Sequence, residues 1–235
     1  MVDRGAAPPP GGPRFAVRRG DGDLTGCDRP EDLAPLLLWW VNRTACFETG
    51  HRLMVHAGVA AVDGRAVLLP AAQDAGKSTL VAGLVQAGYQ YLSDEAAAID
   101  PGSGTVDAYP KWLSLDPGSW PLFPRLRPRL PAGQERFATA QWHVPPDDVR
   151  TGAVVARAEP AWIVAPRYRA GAATSLEPLG RAEALSVLTS EAFNLGRFGV
   201  GGFRALADVA RRCRCWRLTA GSLDEAVDAV RSVAG

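Results

Sequence analysis

Lysine is nearly missing from this chain of 235 residues: it has two, against 24 arginines. Histidine (three), methionine (two) and cysteine (four) are scarce as well. Cys27, Cys46, Cys213 and Cys215 form no CxxC pair and have no histidine at zinc spacing, which argues against a structural zinc site or a disulfide framework. Cys213 and Cys215 fall on one face of a strand, with no second pair to complete a metal site. The thiols are therefore expected to be reduced and mostly buried. No run of about 18 apolar residues occurs, so no membrane-spanning helix is expected. The opening MVDRGAAPPPGGPRF has no apolar signal-peptide core. A formal net charge of +1 gives no overall field for nucleic acid or an anionic membrane. A cytoplasmic protein with neither of those partners is the expectation.

What is present is apolar substance and punctuation. Hydrophobic residues make up 47% of the chain, enough for one sizeable domain. That domain is placed at residues 14–235, after a Pro/Gly-rich segment 1–13 expected to be disordered. A short strand is expected over Phe15 to Arg19, then a turn over 20–23. Pro30-Glu31-Asp32 begins a helix through Trp40, its acids suiting the helix dipole. Leu53 to Val62 and Arg65 to Leu69 read as strands joined by a two-residue turn, Asp63-Gly64. Lys77 to Ala87 carries a helical apolar stripe and stops at Gly88. Tyr89 to Leu92 is a strand, and Ala96 to Ile99 with Thr105 to Ala108 reads as a hairpin. Residues 116–147, with prolines at 117, 121, 124, 128, 131, 145 and 146, are expected to be long and irregular. A buried strand at Ala161 to Ala165, helices at Arg181 to Ser190 and Phe203 to Arg212, a strand at Trp216 to Leu218 and a helix from the Ser222 cap to Val233 complete the chain.

One of the two lysines, Lys77, stands in Gly76-Lys77-Ser78-Thr79, after the apolar run Ala66-Val67-Leu68-Leu69 and at the start of a helix. Strand, tight loop, lysine, hydroxyl and helix is the layout of a phosphate-binding loop. The pattern G-x-x-x-x-G-K-[ST] is met except at its first position, which is Ala71. Backbone amides of Asp74, Ala75, Gly76, Lys77, Ser78 and Thr79 can surround a phosphate, helped by the helix N-terminus. Lys77 can reach the β- and γ-phosphates of ATP, and Ser78 can ligate Mg²⁺. Alanine at 71 implies a loop entrance that differs from the usual one. Asp94 and Glu95 end the neighbouring strand, where carboxylates can hold metal or accept a proton. His56 lies in the strand before the hairpin.

In order and spacing, Val55-His56-Ala57, the turn at Gly64, the loop to Thr79, Gly88-Tyr89 and Leu92-Ser93-Asp94-Glu95 resemble the catalytic domain of HPr kinase/phosphorylase and its smaller relatives. Some of those relatives phosphorylate a serine of lasso-peptide precursors. The likeness covers roughly residues 53–115. It implies an α/β fold with a P-loop on a mixed sheet, related to phosphoenolpyruvate carboxykinases. It also implies Asp94 as proton acceptor with His56 in support, and Glu95 as the second acid, on the metal with Ser78. Lys111 in Tyr109-Pro110-Lys111, or Asp116, would touch phosphate or metal. The separate N-terminal domain of the full HPr enzymes is not matched, nor is their HPr-contact signature in residues 120–170, so HPr is not the expected substrate. The family often forms oligomers, which leaves a homo-oligomer open here.

The expected function is an ATP-dependent, Mg²⁺-requiring kinase acting on a Ser or Thr hydroxyl of a peptide or small protein, a ribosomal peptide precursor being one such acceptor. A nucleotide-binding switch without turnover and a small-molecule phosphotransferase are the alternatives. Arginines at 125–136 can hold an acceptor carboxylate in bidentate contacts. Trp112, Trp120 and Trp142 are expected to be exposed and to pack, bind a partner or stack on adenine.

Overall fold

The computed structural model describes residues 12–18 and 24–234. The expected disorder of residues 1–11 and the turn at 20–23 lie outside them. The strands are β1 (Phe15–Arg18), β2 (Leu24–Cys27), β3 (Leu53–Val62), β4 (Arg65–Pro70), β5 (Gln90–Ser93), β6 (Ala96–Ile99), β7 (Val106–Asp107), β8 (Leu113–Leu115), β9 (Trp142–Val144), β10 (Arg157–Tyr168), β11 (Ser175–Pro178) and β12 (Arg214–Ala220). The helices are α1 (Leu33–Glu48), α2 (Lys77–Gln86), α3 (Pro146–Val149), α4 (Arg181–Ser190), α5 (Leu195–Arg212) and α6 (Leu223–Ala234). Among the described residues no helix is long and apolar enough to cross a membrane.

The fold is mixed α/β, built on a large mixed sheet. Its strand order is β11-β12-β10-β4-β3-β6-β7, with β5 pairing β3 as well. β10 runs parallel to β4 and β12, and the other neighbours are antiparallel. β7 also pairs with the start of β10, through Arg157↔Asp107 and Ala158↔Val106, so the strands from β10 to β7 close on themselves.

Alternation along β3 assigns the two faces. Leu53, Val55, Ala57, Val59 and Ala61 join a core with α4 and α5. Ala60, with Val67 and Leu69 of β4, joins a core with α2 and α6. The β3–β4 turn has Asp63 at φ 48° and Gly64 at φ 73°, both left-handed, which matches the twist of a tight hairpin.

Helix α2 lies flush on the sheet because β3 carries Gly58 beneath it. A Cβ there would come within 2.6 Å of Val81 Cγ2. Leu80, Val81, Leu84 and Val85 are buried against sheet and α6.

Several expectations shift. β6 follows β5 along β3 after two residues: Val59↔Ser93 and His56↔Ala96 share one register, offset by an irregularity from the earlier part of β5, so Asp94 stands opposite Gly58 and Glu95 opposite Ala57. The Pro-rich stretch 116–147 is not a loose loop. It folds as 3₁₀ turns at Pro117–Leu122, Pro124–Leu126 and Glu135–Ala138, with β9 paired antiparallel to β8. Phe123, Leu126, Trp142 and Val144 are buried in the α2 core, and apolar burial outweighs the absence of a periodic pattern. Trp142 is accordingly buried, not exposed, and stacks on Trp120 with ring centroids 4.7 Å apart. α5 extends back to Leu195, across a non-helical Gly199. Glycines at 196, 199, 201 and 202 hide that first half from a propensity reading.

Candidate active site

β4 and β5 both run antiparallel to β3, so their carboxyl ends lie on the same side of the sheet. Ala57 joins them. It pairs with Pro70 at the end of β4, and its N–H donates to the carbonyl of Glu95 at 3.2 Å. The chain after β4 and the chain after β5 thus emerge two strand spacings apart, about 10 Å. Ligands of open α/β sheets collect at such ends.

After β4 the chain turns through Ala71–Gly76 into α2. Asp74 (φ 62°) and Gly76 (φ 87°) are left-handed, and Ala71 is not. The loop therefore places its demanding conformations elsewhere, and alanine at its entrance is free of backbone strain. Gly76 is the N-cap of α2, and the Leu80 N–H donates to its carbonyl. The amides of Lys77, Ser78 and Thr79 consequently have no partner within the helix. Lys77 is 6% exposed, and its Nζ donates to the carbonyls of Ala71 and Ala72, both at 2.7 Å. Burial holds its ammonium below the usual lysine range, while Glu191, Glu95, Asp74 and Asp94 draw it back up.

The acids behave differently from one another. Asp94 has a side chain 1% exposed, and its carboxylate is engaged on both oxygens. Oδ2 accepts the Ser114 N–H at 2.9 Å. Oδ1 lies 2.9 Å from Lys111 Nζ and 3.1 Å from the Tyr91 hydroxyl. Glu95 is 32% exposed, and its carboxylate lies 3.6 Å from Lys111. Asp116 accepts from the Gln141 amide at 2.9 Å.

A single cavity of about 1100 Å³ is lined both by Asp74, Gly76, Lys77, Ser78 and Thr79 and by His56, Asp94, Glu95, Lys111 and Asp116. Both lysines of the chain face it. The structure thus brings together the expected site residues, with Ala75 next to them in the loop. It does not bring Arg125, Arg127, Arg129 or Arg136 to the cavity wall; Arg136 instead covers the Phe137 ring. That segment is anchored by its own buried residues, Phe123 and Leu126, in the core beneath α2. Trp112, 58% exposed, is the tryptophan of the expected three that lines the cavity. A further wall comes from α1, through Leu38, Trp39, Arg43 and Phe47.

Sequence reading missed Glu191. It follows α4, and its neighbours run beside β3: His56 N–H donates to the Glu191 carbonyl at 2.8 Å, Val55 bridges Ala192, and Phe193 N–H donates to the Met54 carbonyl at 2.9 Å. Asn194 secures the segment by accepting the Met54 N–H and donating to the carbonyls of Thr49 and Arg52. The Glu191 carboxylate then lies 3.2 Å from His56 Nδ1. Its one sign in the sequence is an acid directly after a helix end, which is too common to single out.

A divalent cation was tested against these donors. No cluster of three or more His, Cys, Asp or Glu side chains suited to a metal exists among the described residues. Of the hydroxyls (Ser78, Thr79, Ser114) and carboxylates (Asp74, Asp94, Glu95, Asp116, Glu191) that line the cavity, the expected pair is Ser78 and the part-exposed Glu95. That sparse oxygen set fits Mg²⁺, which keeps waters and phosphate oxygens as its other ligands.

No family model matches the chain, and no curated protein matches it. Among solved structures it is similar to the Hpr(Ser) kinase/phosphatase from Coxiella burnetii, at 13% identity and a TM-score of 0.37, over 76% of this chain and 94% of that one.

Proposed function

We propose that this protein is an ATP-dependent phosphotransferase acting on a hydroxyl group, of the HPr-kinase-like kind, with a Ser or Thr of a peptide or small protein as acceptor. One observation carries the proposal: a lysine-bearing loop at a helix N-terminus shares one cavity with the pair of acids that follows β5. The free amides at the start of α2, the helix dipole and Lys77 provide a place for the triphosphate as a P-loop does. To meet it, Lys77 exchanges two carbonyl contacts for phosphate oxygens, a stronger charge-assisted pairing. Ser78 and Glu95 would hold Mg²⁺, which neutralises charge on the transferred group. Lys111, within reach of both acids, can move from them to the γ-phosphate as the nucleotide enters. The α1 wall, with Trp39 and Phe47 exposed and Arg43 beside them, suits a peptide better than a small alcohol. A C-terminal serine of a ribosomal peptide precursor falls within this class.

The acceptor's proton has two destinations in the cavity. One is Asp94, the residue expected from the sequence, whose two oxygens already meet Lys111, Tyr91 and the Ser114 amide. His56 is the other.

The test is turnover. The purified protein is incubated with ATP and Mg²⁺ and with short peptides bearing internal or C-terminal serine, or with glycerol. ADP release and phosphopeptide mass are read. Serine-dependent phosphopeptide supports the proposal. Transfer to glycerol alone makes the protein a small-molecule phosphotransferase. ATP binding without turnover under every acceptor makes it a switch and sinks the proposal.

A further inference from the structure

Phosphotransfer in this cavity, as proposed above, requires a proton to leave the acceptor oxygen, and Asp94 is ill placed to receive it. Its Oδ2 already accepts the Ser114 amide, and its Oδ1 is in contact with the Lys111 ammonium. Both of its oxygens are thus already met by donors, and neither is turned free toward an incoming hydroxyl. Its side chain is also almost wholly enclosed.

His56 has the opposite character. It projects from the α2 face of β3, two residues before Gly58, into the same cavity as Lys77 and Ser78. Its ring is 20% exposed and packs near Phe193, centroids 5.4 Å apart. Nδ1 meets the Glu191 carboxylate, while Nε2 has no hydrogen-bond partner among the described residues. The charged groups facing the ring are Lys77 from α2, Glu95 from the β5–β6 break and Glu191. An ionised carboxylate can only accept, so the ring nitrogen that faces Glu191 at 3.2 Å is the one that carries the hydrogen. The main chain of Glu191 is fixed beside the ring, because its carbonyl accepts from the His56 amide and Asn194 pins the chain three residues on.

We infer that Glu191 is a positioning residue that holds His56 as the Nδ1–H tautomer, and that His56 Nε2 takes the proton of the acceptor hydroxyl. As the acceptor oxygen forms its bond to the γ-phosphorus, the bond from that phosphorus to the β–γ bridging oxygen breaks. ADP departs with the electron pair, and the hydroxyl proton passes to Nε2. A carboxylate orienting an imidazole in this way also stabilises the imidazolium that results. Asp94 is then left to store Lys111 beside the phosphate site.

The three histidines of the chain make the test direct. The ligand-free protein is labelled with ¹⁵N-histidine, and the ring nitrogens are read by long-range ¹H–¹⁵N correlation near pH 7.5, with His56→Gln assigning the signals. His56 is expected with a protonated Nδ1 and a bare Nε2. Glu191→Leu should return it to the Nε2–H tautomer that a free imidazole prefers. With a peptide that supports transfer, Glu191→Leu should lower kcat about 100-fold at unchanged KM for ATP, and Glu191→Asp should restore part of it. An Nε2–H ring in an active wild-type protein overturns the inference and leaves phosphotransfer intact. An Nδ1–H ring in a protein that transfers nothing sinks phosphotransfer and the proton-accepting role together, while the positioning contact stands. The wild-type spectrum decides the tautomer even where Glu191→Leu does not fold.

Discussion

The two ends of the cavity are built from different material. The loop end is main chain: amides freed by the start of α2, two left-handed residues and one lysine, all within residues 71–79. The acid end is mostly side chain: His56, Asp94, Lys111 and Glu191 come from four separate places, and the His56–Glu191 contact spans 135 positions. The first end needs only a local fold, and in the proposed function it would bind an anion by geometry that any helix start offers. The second exists only when the sheet is complete, and its groups are set by one another. The loop end should therefore govern nucleotide binding, and the acid end should govern transfer from the bound nucleotide.

Lys77→Ala strains this division most. It should cost both nucleotide affinity and turnover, the latter by about 100-fold or more, read by calorimetric titration with ATP and by ADP release. Retained affinity would make the loop an ordinary turn. Asp94→Asn should leave ATP affinity within about threefold while cutting transfer by about tenfold or more, because Lys111 is no longer held in place beside the phosphate site. It should also lower stability by about 2–3 kcal/mol, because Lys111 loses its charged partner. Equal losses of affinity and transfer would erase the distinction between the ends. Gly58→Ala joins both, since it forces Val81 and α2 outward. Stability should fall by about 1–3 kcal/mol, and the loop should bind nucleotide less well. An unchanged melting temperature would show that α2 does not lean on β3.

Asp74→Gly concerns the loop end alone. It removes a left-handed non-glycine residue and a negative charge near the phosphate position. ATP should bind about three- to tenfold more tightly, with stability changed by less than about 1 kcal/mol. Weaker binding would give the Asp74 carboxylate a positive role. The smallest effect belongs to the acid end. His56 has its proton affinity lowered in the folded state, chiefly by burial. Its contribution is complete above the unfolded value of about 6.5 and is lost as pH falls from there through the folded value, because the unfolded chain then binds the proton more readily. Denaturant midpoints between pH 7.5 and 5 should decline in the wild type and decline less in His56→Asn. Parallel declines would assign the slope to other groups.

The loop end was legible in advance because its signals are local. Gly76-Lys77-Ser78 after an apolar strand, Gly88 after a helix and Asp63-Gly64 between strands each act within a few residues, and each element was found within about two positions. Ala71, which looked like a defect, proved neutral because the strained positions are 74 and 76. The Pro-rich stretch was misread because its buried residues have no period, and burial of Phe123 and Trp142 is decided by contact with α2. Glu191 was missed for the same reason.

Taken alone, the chain's residues determined the strand–loop–helix step, the scarcity that makes Lys77 and Lys111 conspicuous, and the acids that follow β5, because propensity, turn chemistry and hydrophobic period operate between near neighbours. Only the tertiary structure decided that both lysines share one cavity, that Asp94 is enclosed while Glu95 is open, and that Glu191 meets His56. Those outcomes depend on sheet order and register, and each strand's register is settled by which of its faces the whole core buries.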